Sequence, residues 1–136
     1  VGQPDAETFL VGHSIGCQAV LRYIEKLPDG QNMGGVVLVA GWIHRLDGDL
    51  SDEERAIAKP WLETPIYLEK VRTKCRNITA IFSDDDIWVR LSEENERIFA
   101  DQLGAEIIIE HGKGHMNDES GTKELPSALE AILKNI

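Results

Sequence analysis

Thr8-Phe9-Leu10-Val11-Gly12-His13-Ser14-Ile15-Gly16-Cys17 is the stretch that decides the fold. An apolar run rich in strand formers enters Gly-His-Ser-Ile-Gly, and a helical pattern follows at once. This is G-x-S-x-G in the strand–turn–helix context that a nucleophile elbow requires. Such a serine sits at the tip of a sharp, strained turn, with its hydroxyl projecting above a sheet. Gly12 and Gly16 carry no Cβ, which is expected to let strand and helix pass close together around Ser14. The backbone N–H of Ile15, at the start of the helix, then points to where an oxyanion would form.

Working outward, three further apolar runs, Val36–Ala40, Ile78–Phe82 and Glu106–Ile109, join Thr8–Val11 as candidate strands. They are continuous and rich in β-branched residues, as parallel strands covered on both faces should be. Helical patterns separate them. Ile15 to Leu27 carries Ala19, Val20, Tyr23, Ile24 and Leu27, and Ser92 to Leu103 opens on a Ser N-cap and stops at Gly104. Leu125, Leu129, Ile132, Leu133 and Ile136 predict one apolar face of a closing helix. The order β-α-β-(excursion)-β-α-β-α predicts an α/β fold with a parallel sheet and flanking helices.

The excursion, residues 42–77, is too long for an ordinary connection. Ser51-Asp52-Glu53-Glu54 has capping-box spacing and predicts a short helix, and a second is expected over Ile66 to Cys75. An insertion in this place lies over the C-terminal strand ends, where open α/β sheets bind ligands.

Composition narrows the function without choosing it. The chain has 136 residues, one domain's length, with 14 Lys+Arg against 24 Asp+Glu for a net charge of −10. That balance argues against nucleic acid or an acidic membrane surface as a partner. Two cysteines, Cys17 and Cys75, are too few for a disulfide scaffold, and no zinc spacing includes them. No apolar run reaches the length of a membrane span and the N-terminus does not read as a signal peptide, so a cytoplasmic location is expected.

A nucleophilic serine needs a base, and the base needs an orienting carboxylate. Ser83-Asp84-Asp85-Asp86-Ile87-Trp88-Val89 follows the third strand, and His111-Gly112-Lys113-Gly114-His115-Met116-Asn117 follows the fourth. Both segments are expected at C-terminal strand ends, on the rim that carries Ser14. Singly, the aspartates read as turn residues and the histidines as loop residues. His111 and His115 make a weak metal pair without a third ligand. Together, in the order Ser, Asp, His, they favour a triad.

These segments resemble the α/β-hydrolase superfamily, whose acid precedes a short x-x-hydrophobic segment. That register selects Asp86, with Asp85 the alternative, and Gly114-His115-Met116 is similar to the superfamily's Gly-His-apolar pattern, selecting His115 over His111. The likeness is closer still to the small serine hydrolases of the retinoblastoma-binding protein 9 type. It rests on Gly12–Cys17, Asp52-Glu53-Glu54-Arg55-Ala56, Lys59-Pro60-Trp61, Glu69-Lys70-Val71 through Cys75, Ser83–Val89 and Gly112–Asn117. No Leu-x-Cys-x-Glu motif accompanies it.

The resemblance implies a cofactor-free, metal-independent serine hydrolase, of carboxylesterase or amidase type, acting on small ester or amide substrates. Ser14 is the expected nucleophile, His115 the base, Asp86 the orienting acid and Ile15 N–H the oxyanion donor. Trp42, Trp61 and Trp88 are expected to wall the acyl pocket, with plain packing as the alternative. The family pattern places two strands and two helices ahead of the nucleophile strand. Residues 1–136 are therefore expected to be one α/β-hydrolase domain lacking its N-terminal part, including the loop that donates a second oxyanion N–H. Thr8–Val11 would then be an open sheet edge, inviting self-association. The competing reading is a protein-interaction module that keeps the fold with weak or no catalysis.

Overall fold

The computed structural model describes residues 2–90 and 93–136. Four parallel strands, β1 (Phe9–His13), β2 (Met33–Val39), β3 (Cys75–Ser83) and β4 (Glu106–Glu110), lie side by side in chain order. Around them are α1 (Ile15–Glu25), α2 (Asp52–Glu63), α3 (Leu68–Lys74), α4 (Glu93–Arg97), which runs into a π-helical turn over Ile98–Gln102, and α5 (Pro126–Leu133). The Ser92 N-cap expected for the helix before Gly104 lies outside the described residues.

The sheet sorts the core by strand parity. Val36 and Leu38 of β2, with Ile78, Ala80 and Phe82 of β3, pack with Cys17, Leu21 and Ile24 of α1, Val71 of α3 and Phe99. Val37, Val39 and Ile81 point the other way, onto Met116 and Ala131. Only the two middle strands are covered on both faces: β2 is buried throughout, and β3 is buried at every residue except Arg76 and Asn77. The outer strands depart from the sequence expectation. In β1 only Gly12 is buried, and no residue of β4 is buried.

Three helix expectations also change. In α1 the fully buried line is Cys17, Gln18, Leu21 and Ile24, and Ala19 is exposed. The predicted helix over 66–75 shortens to α3, and Cys75 already belongs to β3. In α5, Leu129 and Leu133 are exposed, as is Ile136 beyond its end, while Ala131 is buried with Ala128, Leu125 and Ile132 beside it. Small alanines let this helix lie close against the β-branched face of β2.

Within the excursion, α2 begins with the capping box expected at Ser51. Its hydroxyl accepts from Glu54 N at 3.2 Å, and the Glu54 carboxylate accepts from Ser51 N at 2.7 Å. The helix then continues through Pro60 to Glu63, longer than a short helix. Lys74, buried at the end of α3, donates from Nζ to the carbonyls of Glu25 and Leu27 and so satisfies acceptors at the C-terminal end of α1.

Candidate active site

Ser14 stands between β1 and α1 with φ 51° and ψ −120°, a strained backbone for a residue with a Cβ. The turn closes through Ser14 N donating to Val39 O at 2.9 Å and Cys17 N to Ser14 O at 3.0 Å. Gly12 is obligatory here: a Cβ would lie 2.9 Å from Cys17 Cα, Cys17 N and Gly16 O. Gly16 is different, since a Cβ there would meet nothing within 4 Å. The expected steric need for glycine therefore holds at the first position of the motif only. Ile15 opens α1, so its N–H belongs to the first turn, whose donors lack intrahelical acceptors. Cys17 is no rival nucleophile, because burial pushes its thiol up to about 12.

The aspartate run ends β3 and faces the loop after β4. Asp86, 4% exposed, accepts at Oδ1 from the N–H groups of Trp88 (2.8 Å) and Val89 (3.1 Å). Its other oxygen, Oδ2, lies 2.8 Å from His115 Nδ1. Asp85, the alternative acid, is occupied elsewhere, with Ser83 Oγ and Gly114 N at 2.7 Å each. Asp84 accepts from Gly112 N at 2.9 Å and sits 2.6 Å from His111 Nδ1. Asp84 and Asp85 are therefore more than solvated turn residues, since each ties down a different part of the histidine loop. Backbone donors chiefly hold the Asp84 carboxyl below its usual range, with His111 adding to the effect, and the Ser83 hydroxyl does most of this for Asp85. In turn, Asp84 raises His111.

His115 and Ser14 line one cavity of about 240 Å³, together with Ile15, Trp42, Leu46, Leu50, Ile57, Ala58 and Trp88. Glu54, Asn117 and Glu119 complete its wall. Trp42 is buried, and its Nε1 donates to Ser14 Oγ at 3.4 Å, a long bond. Trp61, expected at the pocket, is absent from this wall: its ring lies under the Arg22 guanidinium at 5.8 Å and packs on the core. A larger hollow of about 830 Å³ lies between α3, the start of β3 and Gly104, and none of the expected site residues reaches it.

Two side-chain contacts beside Ser14 and His115 escaped the sequence reading. Gln18, wholly buried, donates from Nε2 to Trp42 O (2.9 Å) and Ile43 O (3.0 Å), fixing the start of the excursion beside Ser14. The available signal was an amide on the buried side of α1, between Cys17 and Leu21. His13, inside the motif itself, places Nε2 2.8 Å from the carbonyl of His115. Among the described residues no group of three or more His, Cys, Asp or Glu is disposed to hold a metal ion. No helix among the described residues is long and apolar enough to cross a membrane.

A parallel sheet, a strained serine between strand and helix, and a histidine–aspartate pair on the same rim define a protein of the α/β-hydrolase fold. The chain belongs to the serine hydrolase family, whose model matches residues 2–134. It is 29% identical over 127 residues to YdeN of Bacillus subtilis, a protein named as a hydrolase, covering 92% of this chain and 62% of that one. It is also 29% identical over 114 residues to the rat serine hydrolase RBBP9, covering 84% of this chain and 55% of the relative. The chain thus spans about three-fifths of the length of these relatives. The crystal structure of the B. subtilis ydeN gene product superposes with a TM-score of 0.82 at 24% identity, over 97% of this chain and 67% of that one. The esterase domain of a Rhodothermus marinus protein gives 0.57 at 17% identity, over 93% and 58%. Both structural likenesses are of fold.

Proposed function

We propose that the chain hydrolyses small esters or amides through an acyl-enzyme on Ser14, without a metal ion. The observation that carries this reading is the 2.8 Å contact between His115 Nδ1 and Asp86 Oδ2, in a histidine that shares one cavity with Ser14. With Nδ1–H committed to the carboxylate, the neutral imidazole leaves Nε2 free to accept a proton.

Ser14 Oγ attacks the acyl carbon as its proton passes to His115 Nε2. Asp86 stabilises the imidazolium through Nδ1–H, and Ile15 N–H donates to the oxyanion. Collapse breaks the carbon–oxygen or carbon–nitrogen bond, and His115 returns the proton to the leaving alcohol or amine. Water then attacks the acyl-serine as His115 takes its proton, and the C–Oγ bond breaks to release the acid as His115 returns that proton to Ser14 Oγ.

The cavity wall supports an apolar acyl group. Trp42, Trp88, Leu46, Leu50 and Ile57 supply the apolar surface, while Glu54 and Glu119 disfavour an anionic substrate.

The test is labelling by a fluorophosphonate and hydrolysis of p-nitrophenyl esters of increasing acyl length. Ser14→Ala is expected to abolish both with the fold retained, and short to medium chains to be preferred. Full turnover in pure Ser14→Ala protein would sink the mechanism. An unlabelled but folded wild-type chain would favour the interaction-module reading.

A further inference from the structure

The loop that carries His115 leaves β4 at one edge of the sheet and must reach Ser14, which follows β1 at the other edge. Its hydrogen bonds to the β3 end are many. Gly112 N donates to Asp84, Lys113 N to Ser83 Oγ at 3.0 Å, Gly114 N to Asp85, and His115 Nδ1 faces Asp86. Met116, at φ 53°, buries its side chain under β2 and pins the loop from below. The four polar ties to the β3 end fix the base relative to the acid. On the nucleophile side, among the described residues, one tie to His115 itself is present: His13 Nε2 at 2.8 Å from His115 O, with the rings edge-on at 5.0 Å between centroids.

A backbone carbonyl can only accept, so Nε2 of His13 carries the proton. The bond therefore persists whether His13 is neutral or cationic, and it acts as a fixed strut. His13 is the residue immediately before Ser14 and the last residue of β1. Its side chain thus measures the separation between the elbow and the loop.

We propose that His13 is a positioning residue, whose Nε2–H to the His115 carbonyl sets the distance between His115 and Ser14 that proton transfer requires. This rests on the assignment of Ser14, Asp86 and His115 above. A group that only held the fold would be replaced by any side chain of similar size. A strut must be replaced by a donor at the same reach, which Gln supplies through its terminal amide and Leu does not.

The experiment compares His13→Gln, His13→Leu and His13→Ala with wild type in fluorophosphonate labelling rate, kcat, KM and Tm. Loss of the strut is expected to lower labelling rate and kcat by about 10²-fold with KM nearly unchanged, since misplacement of about 1 Å costs that much. His13→Gln is expected to recover most of the rate, and His13→Leu none of it, at matching Tm. Leu or Ala variants as fast as wild type would overturn the proposal, and so would a Gln variant as slow as Leu. Nitrogen-15 NMR of the wild-type imidazoles gives a check that needs no turnover: an Nδ1–H tautomer at His13 would overturn it too. Ser14→Ala is the control. Retained hydrolysis there removes the site assignment, whereas a Ser14-dependent activity indifferent to His13 removes the strut alone.

Discussion

Asp86→Asn is the substitution that separates the neighbouring aspartates. Asp86 is 4% exposed and uses both oxygens, Oδ1 for the N–H groups of Trp88 and Val89 and Oδ2 for His115. An asparagine amide keeps the first role by turning its oxygen to the two backbone donors. Its NH₂ then points at His115 Nδ1, which must become an acceptor, and the ring proton moves to Nε2. A base already protonated at Nε2 cannot take the Ser14 proton. The same change in a serine protease triad costs about 10⁴ in kcat, and with about 1.36 kcal/mol per tenfold that is about 5 kcal/mol of transition-state stabilisation. Because the two backbone bonds survive, Tm should move little. The assay is kcat on a p-nitrophenyl ester with Tm in parallel, for Asp84→Asn, Asp85→Asn and Asp86→Asn. Turnover in Asp86→Asn within tenfold of wild type, with Asp85→Asn crippled, would refute the reasoning.

Gly12→Ala places a Cβ 2.9 Å from three backbone atoms and should cost about 1–3 kcal/mol in a denaturant titration, whereas Gly16→Ala, with open space, should be neutral or mildly stabilising. The His111–Asp84 pair should make stability depend on pH: because Asp84 raises His111, its contribution is full below the unfolded value of about 6.5 and is lost as pH rises through the folded value. The lowered Asp84 carboxyl reverses the sign in acid, so the Tm difference between wild type and His111→Gln should peak between about pH 4 and 6.5 and shrink on either side. A difference that stays constant from about pH 3 to about pH 8, through both titrations, would contradict it. The open edge of β1 is proposed as a self-association surface. Val11 is 53% exposed, and light scattering should show concentration-dependent oligomers that Val11→Lys shifts toward monomer. A wild-type chain monomeric at all concentrations would remove that proposal.

What the amino-acid sequence disclosed follows a physical rule. The β2 and β3 runs were readable because a strand covered on both faces is apolar almost throughout, as Val36–Val39 are at every position and Ile78–Phe82 at all but Thr79. The turn at Ser14 was readable because the close approach of strand and helix demands a glycine at a fixed place, Gly12, and the Asp–His pairing because both partners are side chains with characteristic chemistry. The face of α5 was misread for lack of phase: Leu125, Ala128, Leu129, Ala131, Ile132 and Leu133 spread over more than half of the helix circumference, and only the neighbouring strands could select the side that carries Ala131. The contacts that escaped notice share one feature. Gln18 donates to the carbonyls of Trp42 and Ile43, Lys74 to those of Glu25 and Leu27, and His13 to that of His115. Every residue owns a carbonyl, so the acceptor end of such a bond leaves no mark in the sequence. What remains visible is the donor, a polar side chain out of keeping with its setting: an amide and an ammonium in the core, an imidazole beside the strained Ser14 turn. Each of the three ends on a backbone oxygen that helical or strand pairing had left free, which is why all three fasten one element to another.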